Sequence, residues 1–230
     1  MSQKWLITLD GPAGVGKTTL AKRLARFLGV CYLDTGAMFR GVAYFLGQEK
    51  INYSERDLAK EISDYCFELK TDRDNFNLYL NGKLLGNEIR TEEVAQLASI
   101  FAAKGVVRNF LKKAQQDLAQ RFSLVAEGRD MGTVVFPWAK PKFFLQASPE
   151  VRAERRYKQL LAQGKTDADL NLILEQIKKR DEQDLTRKLA PLRPAVDAIV
   201  IDTSDLEQEE VFELLKDYVL QHHSGSFDGN

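Results

Sequence analysis

Residues 11–18 read Gly-Pro-Ala-Gly-Val-Gly-Lys-Thr, a fit to G-x-x-x-x-G-K-[ST]. Before them, Trp5 to Asp10 is short and mostly apolar; after them, Lys17 to Leu28 sets Leu20, Leu24, Phe27 and Leu28 on one helical stripe. A strand, a glycine loop and a helix in that order turn consecutive N–H groups and a helix N-terminus toward phosphate oxygens. Gly11, Pro12, Ala13, Gly14, Val15, Gly16, Lys17, Thr18 and the adjoining Thr19 are therefore candidates to wrap a nucleoside triphosphate. Lys17 would reach the β and γ phosphates, and the Thr18 hydroxyl would meet Mg²⁺, partly through water. Chance would produce the four fixed positions in a chain this long on the order of once in a hundred.

Working outward, short apolar runs recur at Val30–Leu33, Ser123–Ala126, Phe143–Gln146 and Ala198–Ile201, separated by long helical stretches. That alternation predicts a three-layer α/β/α fold around a parallel sheet. Residues 65–100 differ: Tyr65–Lys70, Phe76–Leu80 and Lys83–Leu85 are strand-like, and Asn81-Gly82 is a hairpin turn, so a small antiparallel β subdomain is inserted there. Two charged helices, Glu150–Leu161 and Asp169–Arg187, joined by Gln163-Gly164-Lys165, read as a helical lid over 150–187. The core is expected in 1–64, 101–149 and 188–222. A disordered tail is expected over 223–230, and the pair His222-His223 is read as belonging to it.

The 33 basic and 33 acidic residues of the 230 cancel, so no global charge draws the chain to nucleic acid or an anionic membrane. No run reaches membrane-spanning length, and the start MSQKWLITLD meets Asp10 too early for a signal peptide, which predicts a cytoplasmic protein. Cys31 and Cys66 cannot build a disulfide framework, and with two histidines no zinc site is credible.

Two classes of triphosphate user are disfavoured. The guanine-reading Asn/Thr-Lys-x-Asp is missing around Lys70-Thr-Asp72 and Lys165-Thr-Asp167, and Val125-Ala126-Glu127-Gly128 lacks the acidic pair of motor ATPases. A phosphotransferase remains. If its acceptor is itself a phosphate monoester, arginines must face both phosphoryl groups. Asp34-Thr-Gly-Ala-Met-Phe-Arg40 and Glu127-Gly-Arg-Asp-Met-Gly-Thr133 follow strands, where α/β proteins bind ligands, and Arg180, Asp184 and Arg187 share one helix face. Read alone, Arg129-Asp130 is an ordinary ion pair, Ser99 a helix-face serine and Arg152–Arg156 a solvated helix face. Asp10 and Glu127 read equally as acceptors for N–H groups near the loop or as carboxylates ordering water around Mg²⁺.

GPAGVGKT, YLDTGAMFR, AEGRDMGTVVFP, ASPEVRAERR and RDEQDLTRKLAPL, in that order from about Trp5 to the last helix, closely resemble the bacterial cytidylate kinases, P-loop nucleoside-monophosphate kinases. The resemblance implies transfer of the γ-phosphate of ATP to CMP or dCMP, with Mg²⁺ accompanying ATP, by a monomer. By it, Thr35, Arg40, Arg129 and Arg187 hold the CMP phosphate, and Ser99, Arg108 and Asp130 read cytosine. Arg180 and Asp184 meet the sugar, Lys17, Arg129 and Arg187 are the catalytic set, and the strand-rich insert binds the monophosphate. Lid arginines, Arg152 and Arg156 among them and Arg155 beside them, close on ATP. The chemistry agrees, because a carboxylate suits the N4 amino donor of cytosine and a guanidinium its acceptors. Phe39 replaces a usual Tyr and loses a phenolic hydrogen bond, while Thr186 stands where Ser or Asn is usual. The alternatives are a UMP or shikimate kinase on the same scaffold, and a non-catalytic nucleotide-binding switch.

Overall fold

The computed structural model describes residues 4–72 and 75–222. Strand β1 (Leu6–Asp10) leads through the glycine loop into helix α1 (Lys17–Leu28), then β2 (Cys31–Asp34), α2 (Thr35–Leu46) and α3 (Glu55–Ile62). The hairpin strands β3 (Phe67–Asp72), β4 (Asn75–Leu80) and β5 (Lys83–Leu84) precede α4 (Glu92–Ala102) and α5 (Gly105–Arg121). The chain closes with β6 (Leu124–Glu127), β7 (Lys142–Gln146), α6 (Pro149–Ala162), α7 (Leu170–Thr186), β8 (Ile199–Asp202) and α8 (Gln208–His222).

The main sheet has the order β2-β6-β1-β7-β8 with every pair parallel. Both faces are covered, which is why its strands read as near-continuous apolar runs. The pleat divides them: Leu33, Leu124 and Ala126 join a core with α2 to α5, whereas Ile7, Leu9, Val125, Phe143 and Leu145 join α1 and α8. Three layers follow from that division, as expected. Because the strands are parallel, the loops after β1, β2, β6 and β7 leave one edge together.

Strand ends lie one or two residues from their expected places. β2, for example, runs one residue further, because Asp34 pairs with Glu127 before its carboxylate caps α2 by accepting from Ala37 N–H at 2.8 Å. The expected hairpin forms, with Leu69 opposite Leu78 and both Asn81 and Gly82 at positive φ, as a type I′ turn requires. This small sheet buries Phe67, Leu69, Leu78 and Leu80 in the same core as α2 to α5, and the expected boundary at residue 100 falls inside α4. The 223–230 tail lies outside the described residues, as does His223. His222 instead ends α8, its ring stacked on Tyr218 at 3.9 Å between centroids.

Gly11 turns the chain out of β1 at φ 145°, where an added Cβ would lie 2.2 Å from the Leu145 carbonyl oxygen on the neighbouring strand. Strain and overlap together should make Gly11→Ala cost about 2–4 kcal/mol. Gly29→Ala, at a positive φ with open space around it, should cost only about 1–2 kcal/mol. Denaturant midpoints of the two variants compare them; equal losses would contradict the close approach at Gly11.

Candidate active site

The loop after β1 and a cluster of arginines and carboxylates, which leads to a cavity walled by Arg108 and Asp130, make up the site. In the loop, Lys17 is buried and its Nζ donates to the Pro12 carbonyl at 2.6 Å. Burial first, then the Arg129 charge, holds its pKa well below the ordinary lysine value, while Glu127 and Asp10 pull the other way. In the first turn of α1, the Thr18 hydroxyl meets Tyr32 and Glu127. The Tyr32 hydroxyl donates to Glu127, whose carboxyl is pushed up by burial and by Asp34.

Asp10 resolves one of the two open readings toward the backbone. Its carboxylate accepts from Met131 N–H at 2.9 Å and Gly132 N–H at 2.7 Å, fixing the π-helical turn Met131–Val135 that follows β6. Burial raises its pKa from the ordinary 3.8 to about 6 despite those bonds. The native state therefore holds this proton over a range where the unfolded chain has lost it, and stability falls as pH rises from about 4 through 6. Asp10→Asn should flatten that part of the melting-temperature profile between pH 4 and 7; an unchanged slope would exclude Asp10 as its source.

From Arg129 to the far end, charges alternate. Arg129, adjacent to Lys17, donates to Asp184 at 2.9 Å; Asp184 meets Arg187 at 3.3 Å; Arg187 lies 3.8 Å from Asp130; Asp130 binds Arg108 at 3.0 Å. Burial pushes the Asp184 carboxyl up, but Arg129, Arg187 and Arg180 overcome it and leave it below the ordinary carboxylate range. Arg187 is lowered by burial and then by Arg108; Arg180, on α7, is lowered by desolvation and then by Arg129. Arg40 sits on Asp34 at 3.2 Å, and Arg90, which no motif reading picked out, approaches the same carboxylate at 3.8 Å. Three guanidinium nitrogens, Arg40 Nε, Arg108 Nη2 and Arg187 Nη2, are buried with no protein acceptor. Positive donors crowded together and left over are suited to a dianion, which lowers their mutual repulsion and completes their hydrogen bonds.

The Arg108–Asp130 pair walls a cavity of about 190 Å³ with Phe39, Met131 and Leu189. Phe39 supports the Arg108 guanidinium at 5.5 Å from its ring centre, which gives the residue a packing role without a hydroxyl. Thr186 spends its hydroxyl on the Glu182 carbonyl at 2.6 Å along its own helix. Ser99 is exposed on α4 and is not among the residues walling this cavity. Thr35 is buried and donates to the Glu127 carbonyl at 2.6 Å, so its one hydroxyl proton ties α2 to β6.

The expected solvated face on α6 is corrected for two arginines. Arg152 is buried and donates to the Ala147 carbonyl at 2.9 Å, the Ala13 carbonyl at 3.0 Å and both Asp181 oxygens at 3.0 and 2.5 Å. It clamps the glycine loop to α7 and has little left for ATP. Arg155 is fastened to Thr203 and to the Leu206 carbonyl, so the start of α6 is held to the core. Arg156 is exposed, held only by Gln159 at 2.8 Å. Asp181 escaped sequence reading because its partner is 29 residues away.

Fold and site together define a P-loop phosphotransferase class, with a cluster of arginines and carboxylates beside the loop. The family model described as cytidylate kinase matches residues 7–221. A cytidylate kinase of Oleidesulfovibrio alaskensis is 54% identical over 212 residues, covering 92% of this chain and 96% of that one. One from Nitratidesulfovibrio vulgaris is 53% identical over 224 residues, covering 97% and 94%. Among solved structures, the shikimate kinase of Bacteroides thetaiotaomicron has a TM-score of 0.47 at 14% identity, covering 96% and 98%, a likeness too distant to bear on function. The chain belongs to the cytidylate kinase family.

Proposed function

We propose that the chain transfers the γ-phosphate of ATP to CMP or dCMP, giving CDP or dCDP and ADP. The observation that carries this reading is the chain of ion pairs from Arg129, whose charge acts on Lys17, through Asp184, Arg187 and Asp130 to Arg108, which leads from the triphosphate loop to a pyrimidine-sized cavity.

The attacking oxygen belongs to the CMP phosphate and is already anionic at neutral pH, so no general base is needed. Its bond to the γ-phosphorus forms as the bond from that phosphorus to the β–γ bridging oxygen breaks, leaving ADP. Positioning and charge neutralisation are the protein's work. Lys17 and the loop amides hold the β and γ phosphates, Arg129 stands between the two nucleotides, and Arg40 and Arg187 offer their leftover donors to the CMP phosphate. Asp184 and Arg180 flank the sugar, and Asp130 with Arg108 meets the base edge. Thr35 remains assigned to the CMP phosphate and Ser99 to the base, although in this structure the Thr35 hydroxyl donates to the Glu127 carbonyl and Ser99 is exposed. The helical lid, led by Arg156, closes over ATP and excludes water.

Mg²⁺ fits the donor set. No group of three or more metal-binding side chains occurs among the described residues, as suits an ion that arrives on phosphate oxygens, with the Thr18 hydroxyl as protein ligand and Glu127 beside it. Bound there, it neutralises phosphate charge. We also infer a cytoplasmic monomer whose moving parts are the strand-rich segment over 65–100 and the portion of the 150–187 lid beyond the anchors at Arg152 and Arg155. No helix of the described residues is long and apolar enough to cross a membrane.

Coupled ADP release measured with CMP, dCMP, UMP, AMP and shikimate tests the reading. CMP and dCMP should be turned over well and UMP poorly, with slow ATP hydrolysis when no acceptor is added. Preference for any other acceptor would replace the assignment, and tight ATP binding without CMP-dependent ADP would make the chain a switch.

A further inference from the structure

The buried face of α5 runs Val107, Leu111, Gln115, Leu118, so one carboxamide stands in an otherwise apolar stripe. Gln115 is 1% exposed, and its Nε2 has no hydrogen-bond partner. Its neighbour Gln116 shows what a satisfied amide does here, donating to the Val135 carbonyl at 2.8 Å. A leucine would fill the Gln115 position without an orphaned donor, so the fold alone gives no reason for an amide there.

The side chain lies two helical turns after Arg108 on the same face, and both wall the cavity that contains Asp130. The other buried nitrogens without a partner, on Arg40, Arg108 and Arg187, all belong to the acceptor site. The Gln115 amide is a fourth donor of this kind, differing in being neutral. It lines the same cavity as Asp130 and Arg108, the residues given to the base, so its partner is sought on the pyrimidine. Arg108 spends its Nε on the Ala102 carbonyl and its Nη1 on Asp130, so only Nη2 is left for the two ring acceptors; with that nitrogen on the ring nitrogen and Asp130 on the 4-amino group, the acceptor remaining on the pyrimidine edge is O2.

We propose that Gln115 is a specificity-determining residue whose Nε2 donates to O2 of the pyrimidine. This rests on the proposed CMP site and divides its labour. Asp130 distinguishes an amino from a keto group at C4, whereas Gln115 recognises a feature that cytosine and uracil share and adenine lacks.

The test compares CMP with 2-thio-CMP, in which sulfur, a poor acceptor, replaces O2. The wild-type enzyme should favour CMP in kcat/KM, and Gln115→Met, of equal length but without the amide, should narrow that preference about three- to tenfold. KM for ATP and the CMP/UMP ratio should stay fixed, because uracil keeps O2. A structural role for Gln115 would lower the melting temperature and leave the 2-thio preference intact, which overturns the proposal; so does a wild-type enzyme indifferent to the thio substitution. Should Gln115→Met not fold, the side-chain amide resonance of Gln115 in the wild-type protein decides: a downfield shift with CMP that shrinks with 2-thio-CMP supports it, and no shift with CMP rejects it. If the wild-type chain does not phosphorylate CMP at all, the site reading falls and this inference with it. If it does, and the 2-thio preference survives in the variant, only Gln115 loses its role.

Discussion

Lys17→Ala should lower kcat/KM for CMP phosphorylation on the order of 10²–10³-fold while the protein keeps its fold. The ammonium is buried against the Pro12 carbonyl, and burial with the nearby Arg129 charge already disfavours its charged form. A triphosphate reverses that balance, since its anionic oxygens repay the desolvation, so the interaction is strongest where negative charge accumulates during transfer. Lys17→Arg should rescue little, because a planar fork has other directions and a larger head than the point donor that fits over Pro12. Coupled ADP release and a thermal melt check both statements. Wild-type turnover in Lys17→Ala would contradict the assignment of the loop.

Asp130→Asn should cost roughly 10- to 100-fold in kcat/KM with CMP and much less with UMP, so that the CMP/UMP ratio contracts. In the proposed site the carboxylate accepts from the 4-amino group of cytosine, whereas an amide can turn its NH₂ toward the 4-keto group of uracil. Asn is the better probe than Ala. Asp130 is buried between Arg108 at 3.0 Å and Arg187 at 3.8 Å, and deleting it leaves those guanidinium groups facing each other. Loss of one member of such a buried set costs about 3–5 kcal/mol, so Asp130→Ala mixes instability with lost recognition. Steady-state constants with both acceptors, beside a melting curve, separate the two. An unchanged ratio would remove Asp130 from base reading.

Legibility along the chain followed how local each cause was. The loop at Gly11, α1 over Lys17–Leu28 and the Asn81-Gly82 turn were readable because steric rules acting over a few residues determine them. The anchoring of Arg152 and Arg155 was not legible because a mostly charged helix resembles a solvated one, and nothing within it marks Arg152 as the residue that meets the Ala13 carbonyl 139 positions earlier. Asp10 was ambiguous for the same reason, its N–H partners lying 121 and 122 residues on. Gln115 left a faint trace in advance, a polar residue in the apolar register of α5, which only its missing partner makes meaningful.

By itself, then, the sequence determined the parallel α/β architecture, the phosphate loop and the residue types available to bind two anions, since these follow from periodicity, glycine stereochemistry and charge. Tertiary structure alone decided which carboxylate restrains which guanidinium, which donors are left for a ligand and which arginine serves the loop instead. Those outcomes depend on distances between strand ends and helices far apart in the chain, and on a burial that turns a weak surface ion pair into a fixed, oriented one.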